Sequence, residues 1–257
     1  MRSRFAWALL LALILLPLSA SAQFWEKKEW TQWSKSDAQK MLEDSPWART
    51  WVFGENRRSE VGESSQGTAR ETEPRISYSI QLRSALPVRM AEARQLQIAN
   101  KYDKMPEDKK KALDASIKDY LNRVYADSIV VHVAFSSNVQ SYERWLVQVW
   151  SGVPSGTIPV NTRLITSSGK FVEPVRFIAP TGGAQEFLII FPRLINGEPI
   201  FTSADKTFRI EFPSPDPGFG ANTNQGIDLL LASGGAGGRV SAEFKLEKMT
   251  FKGDLLY

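Results

Sequence analysis

Residues 185–192 read Gln-Glu-Phe-Leu-Ile-Ile-Phe-Pro, and the five side chains from Phe187 to Phe191 are all apolar. An unbroken apolar run cannot alternate between a wet face and a dry face, so it predicts a strand that is covered on both faces. Such a strand lies inside a sheet rather than at its edge. Pro192 is expected to end its pairing, because proline has no N–H to donate.

The chain after residue 128 changes to a pattern with a period of two. Ile129, Val131 and Val133 share one face of the first such segment, as a half-buried strand requires. Asn196-Gly197 is a strong hairpin signal between two later segments. Further strands are predicted at 145–150, 162–166, 170–178, 208–212, 239–246 and 249–251. Short strands separated by turn signals predict a mainly β fold, an antiparallel β-sandwich.

A helical insertion interrupts this pattern at about residues 87–125. Residues 76–82 alternate like a strand, and Pro87 then suits the first turn of a helix. Pro106 opens a second helix, whose apolar side chains recur every three or four residues. The sequence therefore predicts two amphipathic helices packed on one side or at one end of the sheets.

The N-terminal segment, residues 23–53, is rich in tryptophan. Ser34 and Asp37 have the spacing of a capping box and predict a helix over 35–44. Two interpretations of the indoles stay open. They pin this helix onto the sheet, or they form an aromatic platform for sugar rings, since flat apolar faces stack on pyranose rings. The candidate ligand-binding residues are Trp25, Trp30, Trp47 and Trp51.

The first 22 residues have the pattern of a secretory signal peptide. Arg2 and Arg4 precede an apolar run at 5–18, and Ala-Ser-Ala at 20–22 supplies a cleavage site. The predicted location is secreted or periplasmic, in a bacterial envelope. The predicted division of the chain is a signal peptide at 1–22, a Trp-rich segment at 23–53, a flexible linker at 54–73 and a β-sandwich domain at 74–257.

Composition excludes several classes of function. The chain has no cysteine, which removes disulfides, thiolate metal sites and cysteine nucleophiles. Without residues 1–22 it has 30 basic and 28 acidic side chains, and so near-balanced a surface gives no electrostatic reason to expect nucleic acid. Apart from the signal, no segment approaches the length of a transmembrane helix.

A search for catalytic motifs finds none that predicts an activity. His132 is the only histidine and sits mid-strand between valines, which favours a structural role. Ser-x-x-Lys occurs at Ser167 and at Ser203, in apparent turns and without the partner motifs of penicillin-recognising enzymes. No phosphate-binding loop or dinucleotide fingerprint occurs. We predict no catalytic residue, no metal site and no cofactor.

These observations favour a non-enzymatic exported protein that binds an envelope protein or a glycan. One alternative is a carboxylate-based polysaccharide hydrolase, since the fold and not the sequence sets the separation of its two acids. The other is an outer-membrane-associated protein, suggested by apolar residues at alternate positions near the C-terminus, which ends in Tyr257. The Gly- and Pro-rich stretch at 213–238 is expected to be a long loop.

Overall fold

Two antiparallel sheets organise the computed structural model, which describes residues 24–53, 75–215, 223–231 and 238–257. The helices of these residues are α1 (Phe24–Lys27), α2 (Lys35–Glu43), α3 (Leu86–Ala99), α4 (Glu107–Leu121), α5 (Gln140–Ser151) and α6 (Thr223–Leu231). The strands are β1 (Ala48–Phe53), β2 (Ile76–Leu82), β3 (Ser128–Ser137), β4 (Arg163–Thr166), β5 (Phe171–Val172), β6 (Arg176–Ile178), β7 (Glu186–Pro192), β8 (Leu194–Ile195), β9 (Glu198–Pro199), β10 (Thr207–Ser214), β11 (Gly238–Lys245), β12 (Thr250–Phe251) and β13 (Asp254–Leu255).

The first sheet has the strand order β1-β2-β3-β7-β6, and the second has the order β11-β10-β4-β5. Two small ribbons, β8-β9 and β12-β13, complete the strand pairing of the described residues. The prediction of an antiparallel, sheet-rich chain with helices is confirmed. The predicted signal peptide and linker lie outside the described residues, so the division of the chain into segments stays a prediction.

Strand β7 is an interior strand, as predicted, because it pairs with β3 on one side and with β6 on the other. Its side chains Phe187, Ile189 and Phe191 are buried. Leu188 and Ile190, on the opposite face, are only half-buried, so the prediction of two covered faces was right for one face. Helix α2 contacts the first sheet at β1 and β2, whereas β7 lies toward the other end of that sheet.

One aromatic cluster joins both sheets and helix α5. The Trp150 ring lies 4.3 Å from Phe187 of β7 and 6.4 Å from Phe212 of β10, measured between ring centroids. Tyr78 of β2 lies 5.4 Å from Phe212, and its hydroxyl shares a hydrogen bond of 2.9 Å with the Ser214 hydroxyl. Residues from both sheets therefore share one apolar core, and burial raises the pKa of Tyr78 far above its usual range.

The predicted strand at 145–150 was wrong, because these residues belong to α5. The buried side chains are Trp145, Leu146, Val149 and Trp150. Buried residues that recur after three and four positions lie on one face of a helix. Segment 145–150 is so rich in apolar residues that it also fits a period of two.

The predicted loop at 213–238 was also wrong in part. Strand β10 continues to Ser214, helix α6 covers Thr223–Leu231, and β11 begins at Gly238. The remaining residues of that stretch lie outside the described ranges. Helix α6 packs on α5, so the apolar residues at 227–231 cover a neighbouring helix.

Other local predictions are confirmed. Helix α2 has the predicted capping box, in which the Ser34 hydroxyl accepts from the Asp37 backbone N–H. The hairpin at Asn196-Gly197 has positive φ angles of 52° and 84°, as a type I′ turn requires. The single strand predicted at 170–178 was wrong in part, because the chain divides at Pro174 into β5 and β6, which are edge strands of different sheets.

Gly226 sets the distance between α6 and α5. A Cβ placed at this residue would lie 2.5 Å from a methyl group of Val149 and 2.9 Å from the Trp145 ring. We expect Gly226→Ala to lower the free energy of unfolding by about 1–3 kcal/mol, since both neighbours are packed and have little room to move. An exposed helical glycine would show a gain of about 1 kcal/mol for the same change.

Thermal and urea unfolding of the Gly226 variant would measure this effect. Gly152→Ala is a matched control, because its Cβ would meet chiefly the flexible end of Ile227, at 2.3 Å, and a smaller loss is expected. A Gly226 variant as stable as the unmodified protein would contradict the close packing of the two helices.

Candidate functional site

A cleft of about 610 Å³ lies between the N-terminal segment and the helical insertion. We call it the Trp30 cleft. It is formed by the 3₁₀ turn Trp30–Gln32, the C-terminal half of α3, the 3₁₀ turn Tyr102–Lys104 and the C-terminal half of α4. Its lining residues are Trp30, Thr31, Arg94, Gln97, Tyr102, Asp103, Asp114, Ile117, Lys118, Leu121 and Asn122.

The turn between α3 and α4 places an aromatic ring in the cleft. Lys101 has a left-handed backbone (φ 51°), which reverses the chain after α3. The 3₁₀ turn that follows carries Tyr102, whose hydroxyl donates a 2.7 Å hydrogen bond to the Asp114 carboxylate of α4. This hydrogen bond raises the pKa of Tyr102. The ring is therefore fixed on α4, with a hydroxyl that stays protonated at neutral pH.

Arg89 of α3 fastens the end of α4. Its Nη1 donates to the backbone oxygens of Tyr120, Leu121 and Arg123, at 3.1, 2.8 and 2.8 Å. The guanidinium also lies 5.2 Å from the centre of the Tyr125 ring. Carbonyls at the end of a helix have no partner within the helix, so a buried arginine supplies donors where α4 needs them. Arg89 thereby holds α4 as one wall of the Trp30 cleft.

The opposite wall is also held by hydrogen bonds. Arg94 Nε donates to the Trp33 backbone oxygen at 2.6 Å, and Arg94 Nη1 donates to the Gln97 side-chain oxygen at 3.1 Å. The first bond connects the Trp-rich segment to α3, and the second holds the Arg94 side chain along α3. The Trp30 ring is half-buried and packs on the core at its edge, so the position of the ring is fixed while part of it stays open to solvent.

The chemistry of the Trp30 cleft is aromatic and polar at once. Trp30 and Tyr102 supply rings, Ile117 and Leu121 supply apolar side chains, and the remaining lining groups are a hydroxyl, carboxylates, amides and cations. The lining has two acids, Asp103 and Asp114, and two cations, Arg94 and Lys118, so its formal charge is balanced. A ligand suited to this cleft is uncharged, has an apolar face and carries many hydroxyl groups.

A second cleft, of about 600 Å³, lies on the other flank of α3 and α4 and shares Ile117. Four of its polar side chains contact one another. Arg83 makes a 2.8 Å ion pair with Glu92, and Glu92 accepts a hydrogen bond from the Tyr120 hydroxyl. The Arg123 guanidinium lies 5.3 Å from the centre of the Tyr120 ring. The second cleft has one aromatic ring, that of Tyr120, whereas the Trp30 cleft has two.

The four tryptophans named from the sequence do not form one platform. Trp25 and Trp47 are buried, with ring centroids 5.7 Å apart, and the Trp47 indole N–H donates to the Leu256 backbone oxygen at 2.6 Å. Neither ring presents a face to solvent. Trp30 and Trp51 are half-buried, and of the four residues only Trp30 lines the Trp30 cleft. Ligand binding by the four tryptophans stays a prediction, and Trp30 and Trp51 are the two whose rings are partly open to solvent.

Sequence reasoning did not identify Tyr102, Asp114, Arg94 or Gln97 as site residues. Gln97 is a buried polar side chain on α3. Its burial could not be read from the sequence. The other three belong to polar stretches that are typical of any solvated helix or turn. Their convergence on Trp30 depends on how α3, α4 and the N-terminal segment pack together.

His132, the single histidine, is buried on the outer face of the first sheet. Its Nε2 lies 2.8 Å from the Glu186 carboxylate and its Nδ1 lies 3.1 Å from the Gln81 side-chain oxygen. Burial lowers the pKa of His132, the positive charge of Arg83 acts in the same direction, and the hydrogen bond to Glu186 opposes both. The Ser-x-x-Lys serine at 167 accepts a backbone hydrogen bond from Lys206, which is a turn contact.

No protein-family model, curated protein or solved structure matches this chain. Among the described residues, no group of three or more His, Asp or Glu side chains is placed to hold a metal ion. None of the described helices has the length and apolar character that crossing a membrane requires. The chemistry of the Trp30 cleft is therefore the main evidence about function.

Proposed function

We propose that this protein is an exported, non-enzymatic glycan-binding protein and that its ligand is an uncharged oligosaccharide held in the Trp30 cleft. The observation that carries the proposal is the convergence of two aromatic rings, Trp30 and Tyr102, with two acidic and two basic side chains in one cleft of about 610 Å³. Export rests on the signal-peptide pattern at residues 1–22, and an envelope glycan is the class of ligand that this location favours.

Sugar rings need the groups that this cleft combines. The axial C–H bonds of a pyranose form an apolar face that stacks on an aromatic ring, and the hydroxyl rim needs hydrogen-bond partners. Asp103 and Asp114 can accept hydrogen bonds from sugar hydroxyl groups, and Lys118 can donate hydrogen bonds to those hydroxyl groups. The Asn122 amide can do both. Drug-sized ligands occupy clefts of about 300–1,000 Å³, so the volume suits a few sugar units.

Binding without hydrolysis fits the cleft better than a glycosidase mechanism does. A glycosidase needs two carboxyl groups of different character, and its general acid lies in an apolar environment. Asp103 and Asp114 are both exposed to solvent, and Asp114 accepts a hydrogen bond from Tyr102. The two carboxyl groups are thus alike in exposure, as expected of groups that hold hydroxyls.

We also propose that the two sheets face each other as a β-sandwich. The support is the aromatic cluster of Tyr78, Phe187 and Phe212, which draws on β2, β7 and β10 together. Strands β1 and β11 approach each other as well, because Arg49 Nε donates to the Glu243 backbone oxygen at 2.8 Å. In this arrangement the Trp30 cleft lies beside the sandwich, on the helical insertion.

Trp30→Ala is expected to weaken oligosaccharide binding by roughly 10- to 100-fold, since losing the ring removes about 1.5–3 kcal/mol of apolar contact. Titration calorimetry with cellohexaose and with the hexamer of N-acetylglucosamine would measure the change. Trp51→Ala is the comparison that separates the cleft from a site at Trp51, because Trp51 is also a half-buried indole but lies on β1, outside the cleft.

The outcomes separate clearly. Loss of binding with Trp30→Ala and retention with Trp51→Ala would support the cleft. Equal effects of the two changes, or binding of neither oligosaccharide to the unmodified protein, would overturn the proposal. If the unmodified protein binds neither oligosaccharide, the other predicted partner, an envelope protein, would become the leading candidate.

A further inference from the structure

Three arginines surround one buried glutamate on the second sheet. Arg163 Nε lies 3.0 Å from a Glu211 carboxylate oxygen, Arg209 Nε lies 2.8 Å from the other, and Arg239 Nη1 lies 3.7 Å from the carboxylate. The Ser241 hydroxyl is 3.5 Å from the same group. We call these five residues the Arg cluster.

The strand register places the Arg cluster on the outer face of the second sheet. On β10 the side chains of Phe208, Ile210 and Phe212 are buried in the core. Arg209 and Glu211 lie between them in sequence and therefore point to the opposite face. Glu211 pairs with Arg163 of β4 and with Ser241 of β11, so three adjacent strands bring their polar side chains to one place.

The charges of the Arg cluster do not balance. Burial by itself raises the pKa of Glu211, but hydrogen bonds and charges from Arg163 and Arg209 outweigh it and lower the pKa. The carboxylate is therefore ionised at neutral pH, and Glu243, which pairs with Arg209 in the register of β10 and β11, adds a second acidic side chain on the same face. The arginine side chains remain 35%, 44% and 52% exposed for Arg163, Arg209 and Arg239, so three guanidinium groups against two acids leave a formal excess of one positive charge.

The arrangement also leaves hydrogen-bond donors in place for a ligand. Arg163 and Arg209 both use Nε to reach Glu211. Within the described ranges, the terminal nitrogens of these two side chains make no hydrogen bond. Guanidinium groups with free terminal N–H pairs bind oxyanions in a bidentate way. Glu211 thus fixes the two guanidinium groups in position while their terminal donors stay available.

We infer that the Arg cluster is a binding site for a tetrahedral oxyanion, either free phosphate or the phosphate group of a monoester. The terminal N–H groups of the two fixed guanidinium groups suit the oxygens of such an anion, and the three arginines keep the place positively charged. This site is separate from the Trp30 cleft and does not depend on the proposed glycan function. It uses residues of β4, β10 and β11, whereas that cleft uses the helical insertion.

The test is an NMR titration of the whole protein with inorganic phosphate, with ionic strength held constant by sodium chloride. The Nε–H signals of Arg163 and Arg209 should shift and saturate at millimolar phosphate. Arg239→Gln should raise the dissociation constant by roughly two- to fivefold, the range expected for one exposed ion pair. Arg239 is the most exposed arginine and the one farthest from Glu211, so its loss should leave the fold intact.

Arg176→Gln is the control, because Arg176 is an exposed arginine on β6 in the first sheet. It should leave the dissociation constant unchanged. Chloride alone producing the same shifts, or Arg239→Gln leaving phosphate affinity unchanged, would overturn the site and reduce the Arg cluster to a structural ion-pair network. A parallel titration with glucose 6-phosphate distinguishes the two sources, because a site for free phosphate alone would bind it more weakly than inorganic phosphate.

Discussion

Replacing Trp150 with alanine should lower the free energy of unfolding by about 3–5 kcal/mol, the usual cost of removing a large buried aromatic ring. Trp150 of α5 is fully buried. Its ring contacts Phe187 of β7, Phe177 of β6 and Phe212 of β10. The cavity would open where both sheets and a helix meet, and no single element can move to fill it. Domains of this kind have total stabilities of about 5–15 kcal/mol, so the loss is a large share.

Urea unfolding followed by circular dichroism would measure this loss. Phe171→Ala is a suitable control, since this aromatic ring lies on the edge strand β5 and is 66% exposed. Its removal should change the free energy of unfolding by less than about 0.5 kcal/mol. A Trp150 variant that loses no more than the Phe171 variant would show that the sheets do not share the core described above.

Replacing Arg89 with methionine should detach the end of α4 and, with it, abolish the glycan binding proposed for the Trp30 cleft. Methionine keeps the apolar stem but leaves the backbone oxygens of Tyr120, Leu121 and Arg123 without their donor. Hydrogen bonds from a charged donor contribute about 1.5–3 kcal/mol each, and water replaces part of that when the helix end opens. We expect a loss of about 2–4 kcal/mol, concentrated in α4.

Hydrogen exchange measured by mass spectrometry would locate the effect, with faster exchange in Glu107–Leu121 than in β3. Arg144→Met is the matched control, because Arg144 is an exposed arginine on helix α5. Arg89→Lys keeps the charge without the planar fork and should restore only part of the protection. If the Arg89→Met protein protects α4 fully and still binds the oligosaccharide, Arg89 does not hold the wall of the Trp30 cleft.

The local sequence pattern was sufficient to predict a helix or strand where the apolar residues followed one clear periodicity. The alternation around Val131 and Val133 predicted β3, and the capping spacing at Ser34 predicted α2. Pattern failed at 145–150, where nearly every residue is apolar and both periods fit. The decision between helix and strand there came from packing, because residues 145, 146, 149 and 150 must reach one shared core.

The amino-acid sequence by itself determined most of the strands, the helices at 35–43, 86–99 and 107–121, and the interior position of Phe187–Phe191 in a sheet. It did so because side-chain alternation and capping act over a few neighbouring residues. Tertiary structure alone decided the two candidate sites. Trp30 and Asp114 are 84 residues apart, and Arg163 and Arg239 are 76 apart. Each set meets only after helices or strands have packed, so polar side chains that look ordinary along the chain become a cleft or a charged cluster.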